Sequence, residues 1–531
     1  MRKLAAILLF LLLLAPSAWF AWRNREMPQL GRGHDDAIQY IVAKSLAQGS
    51  GYRILSLPQA PFETKYPPVL VWLLSLVWRL DPRFPNNIPI ATTIEWMMIP
   101  PFLWLTWLWL RRLELPIAWR WFAVAIAAVC PYTAVFGASI STEVLFSIFM
   151  LGSILLTVSA LEAENGTRLA LAAGVLAGLA YLTRTSGIVA LISTPAVFLA
   201  WRKRREAAAY VAGIAPAIAT WTAWSSLHKP KGVGLAAIYN TDYLGFFLTD
   251  IHLKDVGMVA WKNLGYFLYG MGGLVFPLET DSFFLELVRI TIAIGILRGL
   301  ARNWRRRALQ PYLAFGVLTA AELIVWDFPP NLRLMYPLIP LFLAGLMWEA
   351  RHFVELLRGT MARPEPSQRA AGWVVGALAV ILAGAGAWMT GSAFFGMLPQ
   401  LRRENERVRD ESVAAYRWIE AHSAPDAMIL SRNPALYLYA ERRTEGLYFL
   451  PIHWYRQDAE QLDPLRELAG YARTRGFDYI FLHASDYDAM TPGLGESGRE
   501  IVERNAALRP VFTRGEAVVY VLSSRELLST R

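Results

Sequence analysis

Long apolar runs, broken by short clusters of arginine and lysine, follow one another from Met1 to about Phe395 in this 531-residue chain. A run of about 20 apolar residues crosses lipid as a helix, because hydrocarbon offers no water to satisfy an open backbone. This pattern restricts the chain to the polytopic membrane class. Composition agrees: 55% of residues are hydrophobic and 18% charged, against roughly a quarter charged in soluble proteins. The runs are read as about eleven spans, near 4–22, 88–110, 117–139, 144–161, 169–185, 187–201, 208–226, 283–300, 309–326, 334–349 and 371–393.

The basic clusters set the orientation. With Arg2 and Lys3 in the cytoplasm, the segments 111–120, 162–168, 202–205, 302–307 and 351–369 all lie on the cytoplasmic side, as the positive-inside rule asks. The net charge of +10 is therefore an orientation signal rather than a nucleic-acid footprint. An odd number of spans puts the C-terminal region outside, and the expected setting is a bacterial inner membrane. Pro67 to Leu80 is too short to span and reads as an interfacial helix, which makes 23–87 one large outer loop. The first run has a second reading, a cleaved signal peptide ending at Ala15-Pro16-Ser17-Ala18.

The expected division is a membrane domain over 1–396 and a small outer α/β domain over 397–531. In the latter, helical stretches alternate with strand-like runs at Ala427 to Leu430, Phe477 to His483, Pro510 to Phe512 and Ala517 to Leu522. The stretch Arg363-Pro364-Glu365-Pro366-Ser367 reads as a cytoplasmic linker, and Asp486 with Asp488 as a solvated turn. The single cysteine, Cys130, excludes an intrachain disulfide and a cysteine metal site. There is no P-loop, dinucleotide glycine fingerprint or His-Glu zinc motif.

Charge at the outer membrane face is costly and marks candidate function. Gly33-His34-Asp35-Asp36 opens an amphipathic helix that runs to Ala47 and stops at Gly49. Asp35 could simply cap that helix, with Asp36 in its favourable first turn. The same loop continues through Glu63-Thr64-Lys65-Tyr66-Pro67-Pro68, which brings a cation to the face that holds the acidic pair. Glu143, in Ser139-Ile140-Ser141-Thr142-Glu143, stands where the third span meets the fourth, and a helix start explains it equally well. Arg184, in Leu182-Thr183-Arg184-Thr185, and Arg333, in Arg333-Leu334-Met335-Tyr336-Pro337, flank outer span ends, where either side chain could also snorkel to the interface.

Taken in order, these pieces resemble the polytopic membrane glycosyltransferases of the C-type fold, the superfamily of the protein O-mannosyltransferases and the lipid A aminoarabinose transferases. The resemblance rests on Asp35-Asp36, Gly49-Ser50-Gly51-Tyr52, Lys65-Tyr66-Pro67-Pro68, Glu143, Leu182-Thr183-Arg184, the Arg333 to Pro337 stretch and the outer C-terminal domain. It implies a polyprenyl-phosphate sugar as donor, Asp35 as catalytic base, and Lys65 near the donor phosphate. Many relatives have Asp where Glu143 stands and Pro where Thr185 stands.

The chemistry fits this inventory. A phosphate leaving group needs no general acid, so one carboxylate to deprotonate the acceptor hydroxyl suffices, with cations neutralising the departing phosphate. The expected roles are Asp35 as base, Asp36 and Glu143 as positioning groups, and Lys65 and Arg333 as phosphate clamps, with Tyr66, Arg184, Tyr336 and His34 as further substrate-binding residues. No cofactor is expected, and a divalent cation held by His34 with Asp35 and Asp36 is a secondary reading. Expected partners are membrane lipids, the lipid-linked donor and a lipid, glycan or protein acceptor. The rival function is a transporter or lipid flippase; a third is a non-catalytic assembly protein.

Overall fold

The apolar runs are helical in the computed structural model, which describes residues 2–231, 234–278, 282–362, 366–490 and 498–523. Arg363, Pro364 and Glu365 of the linker lie outside the described residues, as does the Asp488 side chain. Every expected span has a helical counterpart, and prolines explain where some are broken. The second is divided into Ile88–Met97 and Ile99–Arg112, at the sequence Ile99-Pro100-Pro101. The third is divided into Ile117–Val129 and Pro131–Phe136, because Cys130, forced out of the helical region by the following proline, is extended.

Among the described residues, five helices are long and apolar enough to cross a membrane: Lys3–Arg23, Ile88–Arg112, Glu143–Glu162, Leu332–Met361 and the continuous run Pro366–His422. Shorter apolar helices include Pro68–Leu80, Ile117–Val129, Thr167–Tyr181, Thr185–Ala200 and Gln310–Val325. Two further expected spans are the long helices Arg204–His228 and Phe283–Asn303. Val256–Gly272 has no counterpart among the expected spans. Leu12, Trp22, Trp373 and Trp388 are exposed along their helices, a surface that lipid rather than water suits.

By contact the chain forms two compact units, which cut across the linear order. The first comprises Met1–Arg25, Thr92–Trp221 and Ala260–Gln400, and the second Glu26–Ala91, Thr222–Val259 and Leu401–Arg531. In the first unit the apolar helices pack closely enough that a side chain at Gly299 would strike the Gly345 backbone, the small-residue contact that draws membrane helices together.

The second unit gathers the outer loop, a middle segment and the C-terminal domain. Helix Asp35–Ala47 lies against helix Pro68–Leu80, with Trp78 Nε1 donating to Tyr40 O at 3.1 Å and the two rings 4.9 Å apart. The middle segment contributes the short helices Leu235–Thr241 and Tyr243–Asp250, which lie outside the expected spans. The C-terminal part holds five strands, β1 (Met428–Leu430), β2 (Arg443–Glu445), β3 (Tyr479–Leu482), β4 (Leu508–Arg514) and β5 (Ala517–Leu522), in the order β2-β1-β3-β5-β4. β1 pairs in parallel with β2 and β3, whereas β5 runs antiparallel to β3 and β4.

Alternation along β3 builds the two cores. Phe481 packs with Tyr416 and Ile419 of helix Leu398–His422, while Ile480 and Leu482 face Leu465, Leu468 and Ala472 on the other side. Asp486 is a cap rather than a solvated turn: it is half-buried in the first turn of helix Ala484–Met490, and its carboxylate accepts from the His483 amide at 2.9 Å.

Candidate active site

The Asp35 cluster belongs to the second unit. Asp35 begins its helix, but the N-cap position is His34, whose φ of 66° is rare for a residue with a side chain and costs on the order of 1 kcal/mol. Asp35 is therefore not the cap; its Oδ1 accepts the Tyr66 hydroxyl proton. Asp36 does the local work instead, accepting from Gly31 N at 3.0 Å and Ala37 N at 2.9 Å. With Asp36 turned to those amides, His34, Asp35 and Asp36 do not converge on one cation.

Lys65 sits in a cage of tyrosine rings. Its Nζ donates to Tyr239 O at 2.9 Å and lies 4.2, 4.6 and 5.1 Å from the ring centroids of Tyr239, Tyr243 and Tyr66. Ring faces attract an ammonium without neutralising it. Thr64 Oγ1 donates to Thr241 O at 2.7 Å, and Trp224 Nε1 to Glu63 O at 2.9 Å, which binds this loop to the middle segment. Glu63 is fully buried, and its Oε1 accepts from the Lys65 and Tyr66 amides at 2.6 and 2.9 Å. Burial pushes its carboxyl up to about 7, against the opposing pull of those amides and of Lys65.

His34 is buried among aromatic rings, 5.3 Å from Tyr239 and 5.8 Å from Tyr448, and its Nε2 lies 2.9 Å from the Tyr448 hydroxyl. Burial holds its pKa below the ordinary histidine value although Asp35 pulls the other way. Tyr239, Tyr243, Asn240 and Tyr448 were not singled out by the sequence. Asn240-Thr241-Asp242 is a helix-start pattern beside Tyr239 and Tyr243, whereas Tyr448 stands in Leu447-Tyr448-Phe449-Leu450 with no such signal.

The first unit holds a separate charge cluster. Glu143 opens helix Glu143–Glu162, is 1% exposed, and accepts through Oε1 from Arg333 Nε at 2.9 Å and Arg184 Nη1 at 3.2 Å. Arg184 follows helix Thr167–Tyr181, and Arg333 lies in the short helix Leu332–Met335, capped by Asn331. One carboxylate between two guanidinium groups leaves a net positive charge, and Arg333 keeps 44% of its side chain exposed. Tyr336 is fully buried, its ring 5.0 Å from both Phe102 and Phe136 and its hydroxyl 3.1 Å from Thr133 Oγ1, so its place is in helix packing rather than in a cavity. A groove of about 770 Å³ in this unit is lined by Tyr132, Lys262, Tyr266, Tyr269, Ile290 and Leu332, among others, an amphipathic wall suited to lipid.

Among the described residues, Glu411, His483 and Glu516 gather their ligand atoms in the C-terminal part. His483 Nδ1 accepts from Ser485 N at 3.3 Å, so Nε2 donates to Glu411 at 3.1 Å, and Arg407 pairs with both glutamates. This is an ion-pair network of one guanidinium and two carboxylates whose imidazole is already committed.

A family model described as dolichyl-phosphate-mannose-protein mannosyltransferase matches residues 65–248. Among solved structures, ArnT from Cupriavidus metallidurans bound to undecaprenyl phosphate aligns over 97% of this chain and 98% of its own, with TM-score 0.52 and 13% identity. The apo state of the same protein gives TM-score 0.53 at 13% identity, covering 98% of each chain. The archaeal oligosaccharyltransferase AglB from Archaeoglobus fulgidus, in complex with an inhibitory peptide and a dolichol-phosphate, covers 93% of this chain and 70% of its own, with TM-score 0.50 and 12% identity. A search of curated protein sequences returns no match. Identities this low speak to fold alone. The chain thus shares the fold of ArnT and AglB, and within it residues 65–248 match the dolichyl-phosphate-mannose-protein mannosyltransferase model.

Proposed function

We propose that this protein is a membrane glycosyltransferase that moves a hexosyl or pentosyl group from a polyprenyl-phosphate carrier to an acceptor hydroxyl, on a lipid, glycan or protein, at the outer face of the cytoplasmic membrane. The observation that carries this reading is the Asp35 carboxylate, fixed by the Tyr66 hydroxyl and followed along the same loop by a lysine in a tyrosine cage. The fold shared with proteins captured holding undecaprenyl phosphate or a dolichol-phosphate supports the donor class.

In the proposed reaction Asp35 takes the acceptor's hydroxyl proton as the oxygen attacks the anomeric carbon. The bond to the carrier phosphate breaks, the phosphate leaves with the electron pair, and a single displacement inverts the anomeric centre. In the second unit Lys65 supplies positive charge for the phosphate, and in the first Arg333 with Arg184, oriented by Glu143, forms a second candidate anion site. Asp36 shapes the loop that presents Asp35. The 770 Å³ groove offers room for the carrier lipid. The eleven-span topology, with the N-terminus cytoplasmic and residues 397–531 outside, is part of the same proposal.

The test is to incubate the purified full-length protein in lipid nanodiscs with a panel of labelled undecaprenyl-phosphate and dolichyl-phosphate sugars. Transfer or donor hydrolysis is expected for one member, falling about 1,000-fold in Asp35→Asn while the variant inserts and melts normally. Near-normal turnover by that variant would overturn the base assignment, and movement of intact donor across the bilayer without cleavage would favour a flippase.

A further inference from the structure

Tyr448 follows β2 in the C-terminal domain, far along the chain from Asp35. Its ring stacks on Tyr239 at 4.2 Å with an interplanar angle of 23°, and it meets the His34 ring edge-on. Asn240 Nδ2 donates both to Ala236 O at 2.7 Å and to the Tyr448 hydroxyl oxygen at 3.3 Å. The first of these bonds fixes the amide orientation: a carbonyl only accepts, so the group facing Ala236 O is the NH2, and the phenol oxygen beside it is an acceptor.

The proton of Tyr448 is then directed to His34 Nε2, 2.9 Å away. A neutral imidazole that accepts at Nε2 carries its own proton on Nδ1. Nδ1 is buried and faces Asp35 Oδ1 at 3.7 Å, longer than a hydrogen bond in this state and within the range that tightens when substrate binds. Oδ1 is also the oxygen that accepts from Tyr66. Two neutral donors therefore approach one carboxylate oxygen and set its rotation. The charged groups acting on His34 are Asp35, Lys65 and Arg432.

We propose that Tyr448 is a positioning residue for the transfer: it sets the His34 tautomer and, through it, the orientation of the Asp35 carboxylate, so that the C-terminal domain completes the base. This rests on the reading of Asp35 as the catalytic base. Tyr448 touches His34 and not the reacting atoms, so its loss lowers turnover without weakening donor binding.

Tyr448→Phe keeps the ring stack and removes only the proton. In nitrogen-15 histidine spectra of the full-length protein, with the His34 signals assigned by their loss in His34→Asn, the wild type should show protonated Nδ1 and unprotonated Nε2. Tyr448→Phe should shift His34 toward the other tautomer. With the active donor, kcat should fall about tenfold with KM changed less than twofold, and Tyr448→Phe should add nothing in a His34→Asn background. A wild-type His34 protonated at Nε2, or effects of the two variants that multiply, would overturn the proposal. Asp35→Asn separates the two claims. Normal transfer by that variant removes the base, whereas an inactive Asp35→Asn beside a fully active Tyr448→Phe removes only the role of Tyr448.

Discussion

Tyr66 donates its phenolic proton to Asp35 Oδ1, a bond that ties the first turn of helix Asp35–Ala47 to the residues just before helix Pro68–Leu80. A hydrogen bond to an ionised carboxylate contributes about 1.5–3 kcal/mol. If that bond holds the base in its reactive orientation, Tyr66→Phe should lower kcat roughly 10- to 100-fold and leave the donor KM within about threefold. Steady-state kinetics with the active donor checks this. A large KM effect with kcat unchanged would place Tyr66 in donor binding instead.

The Glu143 cluster makes an unequal prediction. Removing the carboxylate with Glu143→Gln leaves Arg184 and Arg333 without their shared anion, a loss of about 3 kcal/mol for a broken buried pair. Removing Arg333, which is 44% exposed, leaves Glu143 still paired with Arg184. Thermal unfolding should therefore show Glu143→Gln clearly less stable than Arg333→Gln. Equal losses would argue against Glu143 as the organising group.

Glu63 makes stability depend on pH. Its folded value, pushed up from 4.5 to about 7, means that the folded state holds the proton more tightly than the unfolded chain. Stability should therefore fall as pH rises from about 4.5 to about 7 and level off above, by a total on the order of 3 kcal/mol. Glu63→Gln keeps an acceptor oxygen for the Lys65 and Tyr66 amides and should flatten that slope. Melting temperatures at pH 5 and pH 8 for both proteins decide it, and an undiminished slope in the variant would assign it to another group.

Gly31 has a φ of 88°, and a Cβ there would overlap Asn433 Oδ1 and come within 2.7 Å of the Ala435 Cβ. Gly31→Ala should thus incur both backbone strain and a clash against a residue whose Oδ1 already accepts from Ala435 N. The expected outcome is a loss of about 2 kcal/mol or more, together with reduced turnover, because Gly31 N also donates to Asp36. A variant with wild-type melting and activity would show that the loop yields freely.

Contiguous signals made part of this site legible. His34, Asp35 and Asp36 open an amphipathic helix, Lys65 and Tyr66 precede a proline-started one, and Glu143, Arg184 and Arg333 interrupt or bound apolar runs where charge is costly. Tyr448 carries no such local signature, the Asn240-Thr241-Asp242 helix start says nothing of a lysine cage, and only folding brings Tyr239, Asn240, Tyr243 and Tyr448 around Lys65 and His34. The same limit hid β2, whose Arg443-Thr444-Glu445 has no apolar alternation and becomes a strand by pairing with β1. Tyr336 was misread for a related reason. Its neighbour Arg333 carries the charge signal, but the ring turns into the packing between Phe102 and Phe136.

His34 and Tyr448 are separated by 414 positions along the chain. Apolar helices enter a bilayer one after another as the ribosome produces them, but a contact of this span must wait until the segment around Tyr448 has been made and folded. A polypeptide cut short before Tyr448 would hold its membrane helices without the arrangement around Asp35. On the proposed reading, synthesis order alone would then hold back donor cleavage until that segment has folded.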